Sequence, residues 1–267
     1  MTDKPPTPAP DRPLVTSVIQ AVAVLRHLAA LDRAVGVSAI AAAVGISPSS
    51  CFNILKTLVA EDLVAFDPRS KAYTLGLGAI SLGRSAARRD EVIRAAERPM
   101  AALAGRYDAA VGLWRITNRE RLVLIHFAES EAATRIHLSI GQRLPLAAGA
   151  MGRCVAAAQA LAPEEIARRF AQVRWAQPPN LDSYLAQVRA AARQGYSTDI
   201  DQLLRGLSSV AAAIPDATGT VRFCLSLTMF AGQYKAETIR AIGRYVREDA
   251  AAISATGYPE GGARSRP

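Results

Sequence analysis

The chain has 267 residues, 50% of them hydrophobic, which is long for one domain and provides enough apolar side chains for two cores. Its net charge of +9 is spread along the sequence, so the charge alone is weak evidence for a nucleic-acid partner. No apolar run is as long as a membrane span and the N-terminus lacks the apolar core of a secretory signal, so we expect a cytoplasmic protein without a membrane partner.

The N-terminal end of the chain predicts a tail and two helices. Five prolines in the first thirteen residues predict a disordered tail over 1–13. Apolar side chains at steps of three and four residues predict an amphipathic helix over residues 17–31. A shorter helix should follow, with Ser38 as its N-terminal cap and Gly45 in the left-handed conformation that ends many helices.

The next helix has a well-defined start. Ser47 can cap it, and Pro48 suits the first helical position, where the missing N–H costs no hydrogen bond. Apolar residues at helical spacing would turn inward: Ile54, Leu55, Leu58 and Val59. The outer face would hold small polar and basic side chains: Ser49, Ser50, Asn53 and Lys56. Such a polar face suits the major groove of DNA.

A hairpin is predicted directly after this helix. Apolar and polar residues alternate on both sides of a turn-forming segment at residues 67–71. Arg69 and Lys71 lie in this turn and can reach phosphates or the minor groove. Helix, turn, helix and hairpin in this order predict a winged helix-turn-helix domain over residues 14–77. The alternative is a small α/β domain with an ordinary charged hairpin.

The remaining sequence predicts a linker helix and a second domain. The linker helix is expected over residues 78–95, the second domain over 96–254 and a flexible tail over 255–267. Pro99 lies inside an apparent helix, which it can kink or restart. Strands are predicted over 111–117, 121–130, 133–141, 207–215 and 220–230. Further helices are predicted over 150–160, 163–170, 181–194 and 234–252. These elements predict a sheet with helices packed on it.

Two segments of the second domain are informative beyond their secondary structure. Residues 141–158 read GQRLPLAAGAMGRCVAAA, and residues 195–228 read GYSTDIDQLLRGLSSVAAAIPDATGTVRFCLSLT. Together with the helix-turn-helix, they make the chain resemble the IclR family of bacterial transcription regulators over roughly residues 15–252. The resemblance implies an α/β (α+β) protein with a winged helix-turn-helix, a linker helix and a GAF-like effector domain, whose antiparallel sheet is flanked by helices.

The resemblance also implies a function. Members of this family bind double-stranded operator DNA, sense small organic or aromatic acids, and form dimers that often pair into tetramers; a repressor of a catabolic operon is the more frequent type. From the motif, we expect DNA contacts at Ser47, Ser49, Ser50, Asn53, Lys56, Arg69 and Lys71. The resemblance places effector contacts at Gly149, Ala150, Met151, Asp199, Ser209, Ser226 and Thr228.

The chemistry of these residues agrees with a small polar effector. Small residues at 148–152, near a predicted helix start, let backbone N–H groups approach an anion such as a carboxylate, which the helix dipole favours. Ser226 and Thr228 are two residues apart on a predicted strand and therefore share a face. The alternative is that both hydroxyls pair with the backbone and that Asp199 caps a turn.

The sequence departs from the family pattern at several positions. The family usually has a basic residue where Pro48 and Asn53 stand, and commonly a histidine where Ala147 stands. An acidic residue is often found where Leu204 stands. We therefore expect an operator sequence of its own, and the effector of another family member does not transfer directly.

Metal-binding and catalytic alternatives have less support. His126 and His137 lie on adjacent predicted strands without the further ligands that a metal needs, so no metal or cofactor is expected. Cys154 and Cys224 lie in apolar runs without a Cys–His–Asn arrangement, which favours packing over catalysis. Two other functions stay open: an enzyme fused to a DNA-binding domain, and a DNA-binding regulator whose second domain only oligomerises.

Overall fold

A computed structural model describes residues 14–257 except 32, 90 and 133, without the side chains of residues 84–89. The chain divides into two compact units, which meet in sequence after Arg89. The predicted tail at 1–13 and residues 258–267 of the predicted C-terminal tail lie outside the described residues. The domain boundaries stay predictions.

The first unit packs helices against a small antiparallel sheet of strand order β1-β3-β2. Its elements are α1 (Thr16–Ala29), β1 (Val35–Gly36), α2 (Val37–Val44), α3 (Pro48–Ala60), β2 (Val64–Asp67), β3 (Ala72–Leu75) and α4 (Leu77–Arg89). Strands β2 and β3 are the predicted hairpin. Strand β1 was not predicted, because two residues are too short to show an alternating pattern.

Helices α2 and α3 form the predicted helix-turn-helix. Gly45 follows α2 with a φ of 73°, in the left-handed region that glycine adopts without strain. Ser47 caps α3 as predicted, because its hydroxyl oxygen accepts a hydrogen bond from the N–H of Ser50 at 3.1 Å. The inward stripe of α3 buries Leu55 and Leu58, which leaves the opposite face to solvent.

The predicted cap at Ser38 is wrong. Helix α2 follows directly on the extended residue Gly36, begins at Val37, and has Ser38 in its first turn without a capping hydrogen bond. The reason is the added strand: Val35 and Gly36 pair with β3, so the chain enters the helix straight from the sheet.

The second unit is built on a sheet of strand order β6-β5-β4-β9-β8-β7, with every pair antiparallel. Its strands are β4 (Ala110–Thr117), β5 (Arg121–Ala128), β6 (Arg143–Pro145), β7 (Ser197–Ile200), β8 (Leu207–Pro215) and β9 (Val221–Phe230). Its helices are α5 (Glu91–Tyr107), α6 (Gly149–Ala158), α7 (Pro163–Phe170), α8 (Leu181–Gln194) and α9 (Ala236–Gly257).

Several boundaries differ from the sequence prediction. Helix α5 continues through Pro99, so this residue neither ends nor restarts it. Residues 91–95 belong to α5, and the predicted linker helix over 78–95 therefore covers all of α4 except Leu77 and the start of α5. Helix α9 runs to Gly257, which makes residues 255–257 helical.

The predicted strand over residues 133–141 is wrong, because its described residues lie outside any strand. The edge of β5 is taken instead by the segment that ends in β6: Gly141 donates to the Leu124 carbonyl at 2.8 Å, and the Gln142 carbonyl accepts from Leu124 at 3.0 Å. The apolar residues of the predicted strand serve packing, since Ile136 and Leu138 join the core cluster that includes α6.

None of the described helices is by itself long and apolar enough to cross a membrane. Only α2 and α3 taken together meet the criteria of length and composition, and they are bent by 109° at the turn between them.

Candidate functional site

The outward surface of α3 presents the polar side chains that the sequence predicts for DNA contact. Ser49, Ser50, Asn53 and Lys56 are all exposed, and we call these four residues the reading face. The Ser50 hydroxyl accepts a hydrogen bond from the Ser47 hydroxyl at 2.9 Å, so its own proton stays available to donate. Because Leu55 and Leu58 fix the other side of the helix in the core, the reading face has a defined direction.

The hairpin tip, residues 67–71, is shaped by one carboxylate. Asp67 accepts hydrogen bonds from the Ser70 hydroxyl at 2.6 Å and from the N–H of Arg69 at 2.9 Å, and these bonds lower the pKa of its carboxyl group. Lys71 has a φ of 51°, which completes the tight turn. Arg69 and Lys71 are both exposed, so two cations project from a turn of fixed shape.

Helix α1 has an exposed apolar face that the sequence interpretation missed. Val18, Ile19 and Val22 are exposed and lie at helical spacing, which places them on one side of the helix, and Val15, which precedes the helix, is exposed too. The spacing predicts an amphipathic helix, and the side chains of α1 that are buried are Val24 and Leu28. A continuous apolar face on a surface helix is typical of a protein–protein contact.

A cavity of about 140 Å³ opens beside the sheet of the second unit, and we call it the sheet cavity. Five of the seven predicted effector residues line it: Met151, Asp199, Ser209, Ser226 and Thr228. Its apolar wall includes Trp114, Ile136, Leu138, Leu144, Leu203, Leu204 and Leu207. Ala150 does not line the cavity, and neither does Gly149, which has a φ of 55° and lies so close to Leu203 that a Cβ atom would be 3.0 Å from its side chain.

The strand register explains how residues distant in sequence meet. Asp199 on β7 is opposite Ser209 on β8, and Ser209 is in turn opposite Thr228 on β9. Directly opposed residues point to the same face of a sheet, and Ser226 shares that face because it is two residues from Thr228. The pairing of three strands therefore brings one carboxylate and three hydroxyls together on one face of the sheet, beside the start of α6.

Asp199 is held by a buried arginine that the sequence interpretation missed. Arg153 on α6 is 0% exposed, and its Nη1 donates to Asp199 Oδ2 at 2.9 Å. The other oxygen, Oδ1, accepts from the N–H groups of Gln202 at 3.2 Å and Leu203 at 3.0 Å. Asp199 thus caps the turn after β7, as the sequence alternative allowed, and also lines the cavity, with its charge balanced by Arg153.

Arg153 connects several elements of the second unit. Its Nε donates to Gln187 on α8 at 2.6 Å, and its Nη2 donates to Gln202 at 2.5 Å. The guanidinium also lies over the rings of Tyr184, at 4.9 Å, and Trp175, at 5.5 Å. The sequence contained one pattern that could have predicted this role: Arg153 is the single charged residue in the apolar run AGAMGRCVAAA. A charge that is buried with such a run must be paired.

Ser226 is oriented by an indole. Trp114 Nε1 donates to Ser226 Oγ at 2.9 Å, and both side chains are buried. Because the hydroxyl oxygen already accepts this bond, the Ser226 proton can be donated to a further acceptor.

His137 is one of the residues that line the sheet cavity, and Cys154 and Cys224 form a buried pair. His137 lies outside the strands, where its Nδ1 is 3.3 Å from Glu129 Oε2. Cys154 and Cys224 are buried with their sulfur atoms 3.5 Å apart, and burial raises the pKa of the Cys224 thiol. Among the described residues, no group of three or more His, Cys, Asp and Glu side chains could hold a metal ion.

Two family models match the chain. The IclR helix-turn-helix domain matches residues 17–68, and the C-terminal domain of bacterial transcriptional regulators of the IclR type matches residues 84–255. The chain belongs to the IclR family. The family resemblance and the fold class predicted from the sequence are therefore confirmed.

Relatives of this IclR-family protein include the HTH-type transcriptional repressor AllR of Salmonella typhimurium, which is 29% identical over 241 residues, covering 87% of this chain and 86% of AllR. The HTH-type transcriptional regulator KdgR of Dickeya chrysanthemi is 26% identical over 219 residues, covering 80% of this chain and 70% of KdgR. The crystal structure of an IclR transcriptional regulator from Alicyclobacillus acidocaldarius superposes with a TM-score of 0.83 at 27% identity, covering 92% of this chain and all of that one.

These relatives decide the class of the protein. One matched domain is a helix-turn-helix, the other is the C-terminal domain of bacterial transcriptional regulators, and both named relatives are HTH-type transcriptional regulators. The protein is therefore a DNA-binding transcriptional regulator. It is not an enzyme, and the alternative of a catalytic domain fused to a DNA-binding domain does not hold.

Proposed function

We propose that this regulator is a homo-oligomeric repressor of a catabolic operon and that a small carboxylate, bound in the sheet cavity, changes its affinity for operator DNA. The observation that supports the effector role is the cavity itself, where three strands collect Asp199, Ser209, Ser226 and Thr228 beside the start of α6. A concave, mostly apolar site with a few convergent polar groups is typical of a metabolite site.

The DNA contacts are assigned by side-chain chemistry. Ser49, Ser50 and Asn53 would meet base edges in the major groove, with Asn53 suited to the donor and acceptor of adenine. Lys56, Arg69 and Lys71 would bind phosphates, while Ser47 holds the start of α3. Two subunits would bind two half-sites of a roughly palindromic operator, separated by about one helical turn or a multiple of it.

The charge balance of the cavity supports an anionic effector. Arg153 neutralises Asp199, so the site does not present an unpaired negative charge to a carboxylate. The first N–H groups of α6 have no partner inside the helix, and the helix dipole adds partial positive charge there. Of the three residues that carry these groups, Met151 lines the cavity, whereas Gly149 and Ala150 do not. The Ser226 proton is free to donate in the same region. These donors are the complement that a carboxylate needs.

The exposed apolar face of α1 supports self-association of the first unit. Val18, Ile19 and Val22 form one stripe, and the same helix repeated on a second copy would cover it by two-fold symmetry. Repression is the proposed direction of control because AllR is named a repressor. A second possibility, that the C-terminal domain only oligomerises and binds no effector, is tested by the same experiment.

The test is titration of the purified protein against labelled DNA from upstream of its own gene, at fixed salt. The titration is repeated with each member of a panel of small aliphatic and aromatic carboxylates. We expect specific binding that one class of acid shifts by 5- to 150-fold, the range of about 1–3 kcal/mol of coupling. Ser226→Ala and Thr228→Val should remove this shift without changing DNA affinity in the absence of acid.

The matched control is Ser254→Ala, which removes a hydroxyl of the same unit that donates to the Pro215 carbonyl at 2.6 Å and does not line the sheet cavity. This variant should keep the response to the acid. Specific DNA binding that no acid changes would support the possibility of a C-terminal domain that only oligomerises.

A further inference from the structure

The helix that presents the reading face also exposes an aromatic ring. Phe52 of α3 is 50% exposed, whereas Leu55 and Leu58 of the same helix are buried. The core cluster of this unit includes partly buried residues of the same helix, such as Ile54 and Val59, but does not include Phe52. The ring therefore contributes less to the packing of the described core than its neighbours do.

Phe52 lies next to the reading face on the surface of α3. Ser49 precedes it by three residues and Lys56 follows it by four, so both lie next to it on the helix surface. Phe52 is also the fifth residue of α3, within its N-terminal half. In helix-turn-helix proteins the N-terminal residues of this helix approach the base edges.

We propose that Phe52 is a specificity-determining residue that contacts the methyl group of a thymine in the operator. This inference rests on the proposed role of α3 in the major groove. The groove presents hydrogen-bond donors and acceptors on every base pair, and the thymine methyl is its apolar group. A phenyl ring against a donor or acceptor would leave that group without a partner, at a cost in affinity, whereas against a methyl group both surfaces leave water favourably.

The surroundings of Phe52 favour DNA over a protein as its partner. Its neighbours on the surface are a serine, an asparagine and a lysine, which suit bases and phosphates. The apolar stripe on α1, by contrast, consists of three neighbouring aliphatic side chains, Val18, Ile19 and Val22. A single ring inside a polar and basic face contributes one apolar contact to a polar interface. In the major groove of DNA, the matching apolar group is the thymine methyl, so this contact favours thymine.

The experiment replaces the thymine methyl without changing base pairing. The tightest-binding duplex is selected from a random pool, and each thymine in a half-site is replaced in turn by deoxyuridine, which lacks the methyl. For the wild type we expect one position at which affinity falls about fourfold per half-site, the factor for exposing one methyl-sized group. Phe52→Ala should weaken binding to the thymine duplex and make that position indifferent to the methyl.

Two further variants separate the methyl contact from other effects. Phe52→Leu keeps an apolar side chain and should retain part of the methyl dependence. Phe66→Ala removes a ring of similar exposure, 42%, from β2 and should leave the methyl dependence at its wild-type value.

Each outcome has a clear meaning. A wild-type protein that is indifferent to every thymine methyl overturns the inference while leaving sequence-specific binding intact. A methyl effect that is equal in the wild type and Phe52→Ala also overturns it, because another residue or the shape of the DNA then reads the methyl. If no duplex is preferred over random DNA, the proposed base-reading role of α3 fails instead.

Discussion

The reading face of the first unit holds its polar side chains in solvent, whereas the sheet cavity of the second unit holds its polar groups in a buried network. Asn53 and Lys56 are exposed to solvent. Asp199 and Arg153 are paired with each other inside the second unit. Burial without a partner is costly, so a site inside a domain must be internally paired, and a surface site need not be.

This difference separates the expected effects of mutation. A side chain removed from the reading face should change DNA binding and leave stability within about 0.5 kcal/mol. Removing a side chain from the buried network should mainly lower the free energy of unfolding of the second unit.

The largest effect is expected for Arg153→Met. The substitution leaves Asp199 buried without its counter-charge, which should lower the free energy of unfolding of the second unit by about 3–5 kcal/mol. The two tryptophans of the chain, Trp114 and Trp175, both lie in the second unit, so intrinsic fluorescence during denaturant unfolding reports on that unit alone.

The matched control is Arg168→Met. Arg168 also forms salt bridges, at 2.8 Å to Glu120 and 2.6 Å to Glu165, but its side chain is 49% exposed. Exposed pairs contribute little, so the loss of stability should be much smaller than for Arg153→Met. Equal losses in the two variants would contradict the contrast between buried and exposed charges. The double variant Arg153→Met, Asp199→Leu should recover part of the stability.

Asn53→Ala should have the next largest effect, on recognition rather than stability. If Asn53 pairs with an adenine edge, its loss removes about 1–3 kcal/mol of discrimination between operator and random DNA. The measurement is the ratio of the two dissociation constants at one salt concentration. Lys71→Ala is the comparison, because a phosphate contact should weaken both complexes alike and leave the ratio unchanged. An unchanged ratio for Asn53→Ala would remove its base-reading role.

The first unit was well predicted because its features are local in sequence. Ser47, Pro48 and Gly45 define the ends of two helices through interactions within four residues, and the hairpin follows from alternation around one turn. The errors came from a contact at longer range. Pairing of Val35 with Tyr73 starts α2 earlier than the Ser38 cap suggested, and no local pattern reports that pairing.

The second unit was predicted less completely because its site depends on strand register. The sequence located most of its strands, and the family resemblance supplied the residues of the cavity. That Asp199, Ser209 and Thr228 share one row across three strands follows only from the sheet order, which periodicity does not give. Arg153 was missed for the same reason: its three acceptors come from two segments more than thirty residues away.

A smaller effect is expected for the cap of α3. Ser47→Ala removes the acceptor for the Ser50 N–H and should lower local stability by about 1 kcal/mol. Amide hydrogen exchange over α3 measures this loss without interference from the second unit. Ser38→Ala is the matched control, because Ser38 is exposed in the first turn of α2 and caps nothing. Similar increases in amide hydrogen exchange for both variants would contradict a capping role for Ser47.

The smallest effect concerns the turn between β8 and β9 in the second unit. Asp216 accepts a hydrogen bond from the Thr218 hydroxyl at 2.6 Å and one from Arg222 Nε at 2.6 Å, and these lower its pKa to about 2. In the unfolded chain the pKa returns to about 3.9, so the folded state gains stability that is fully present above that value. This stability is lost as the pH falls from about 4 toward about 2.

Asp216→Asn should therefore lower the free energy of unfolding at pH 6 by at most about 1 kcal/mol, since the turn is open to solvent. The difference from the wild type should shrink when tryptophan fluorescence is used to follow unfolding at pH 4 and then at pH 3. Thr218→Val removes the bond that lowers the Asp216 pKa most, so its deficit should follow the same direction with pH. A deficit that is constant from pH 6 to pH 3 would assign the effect to turn geometry rather than to the charge of the carboxylate.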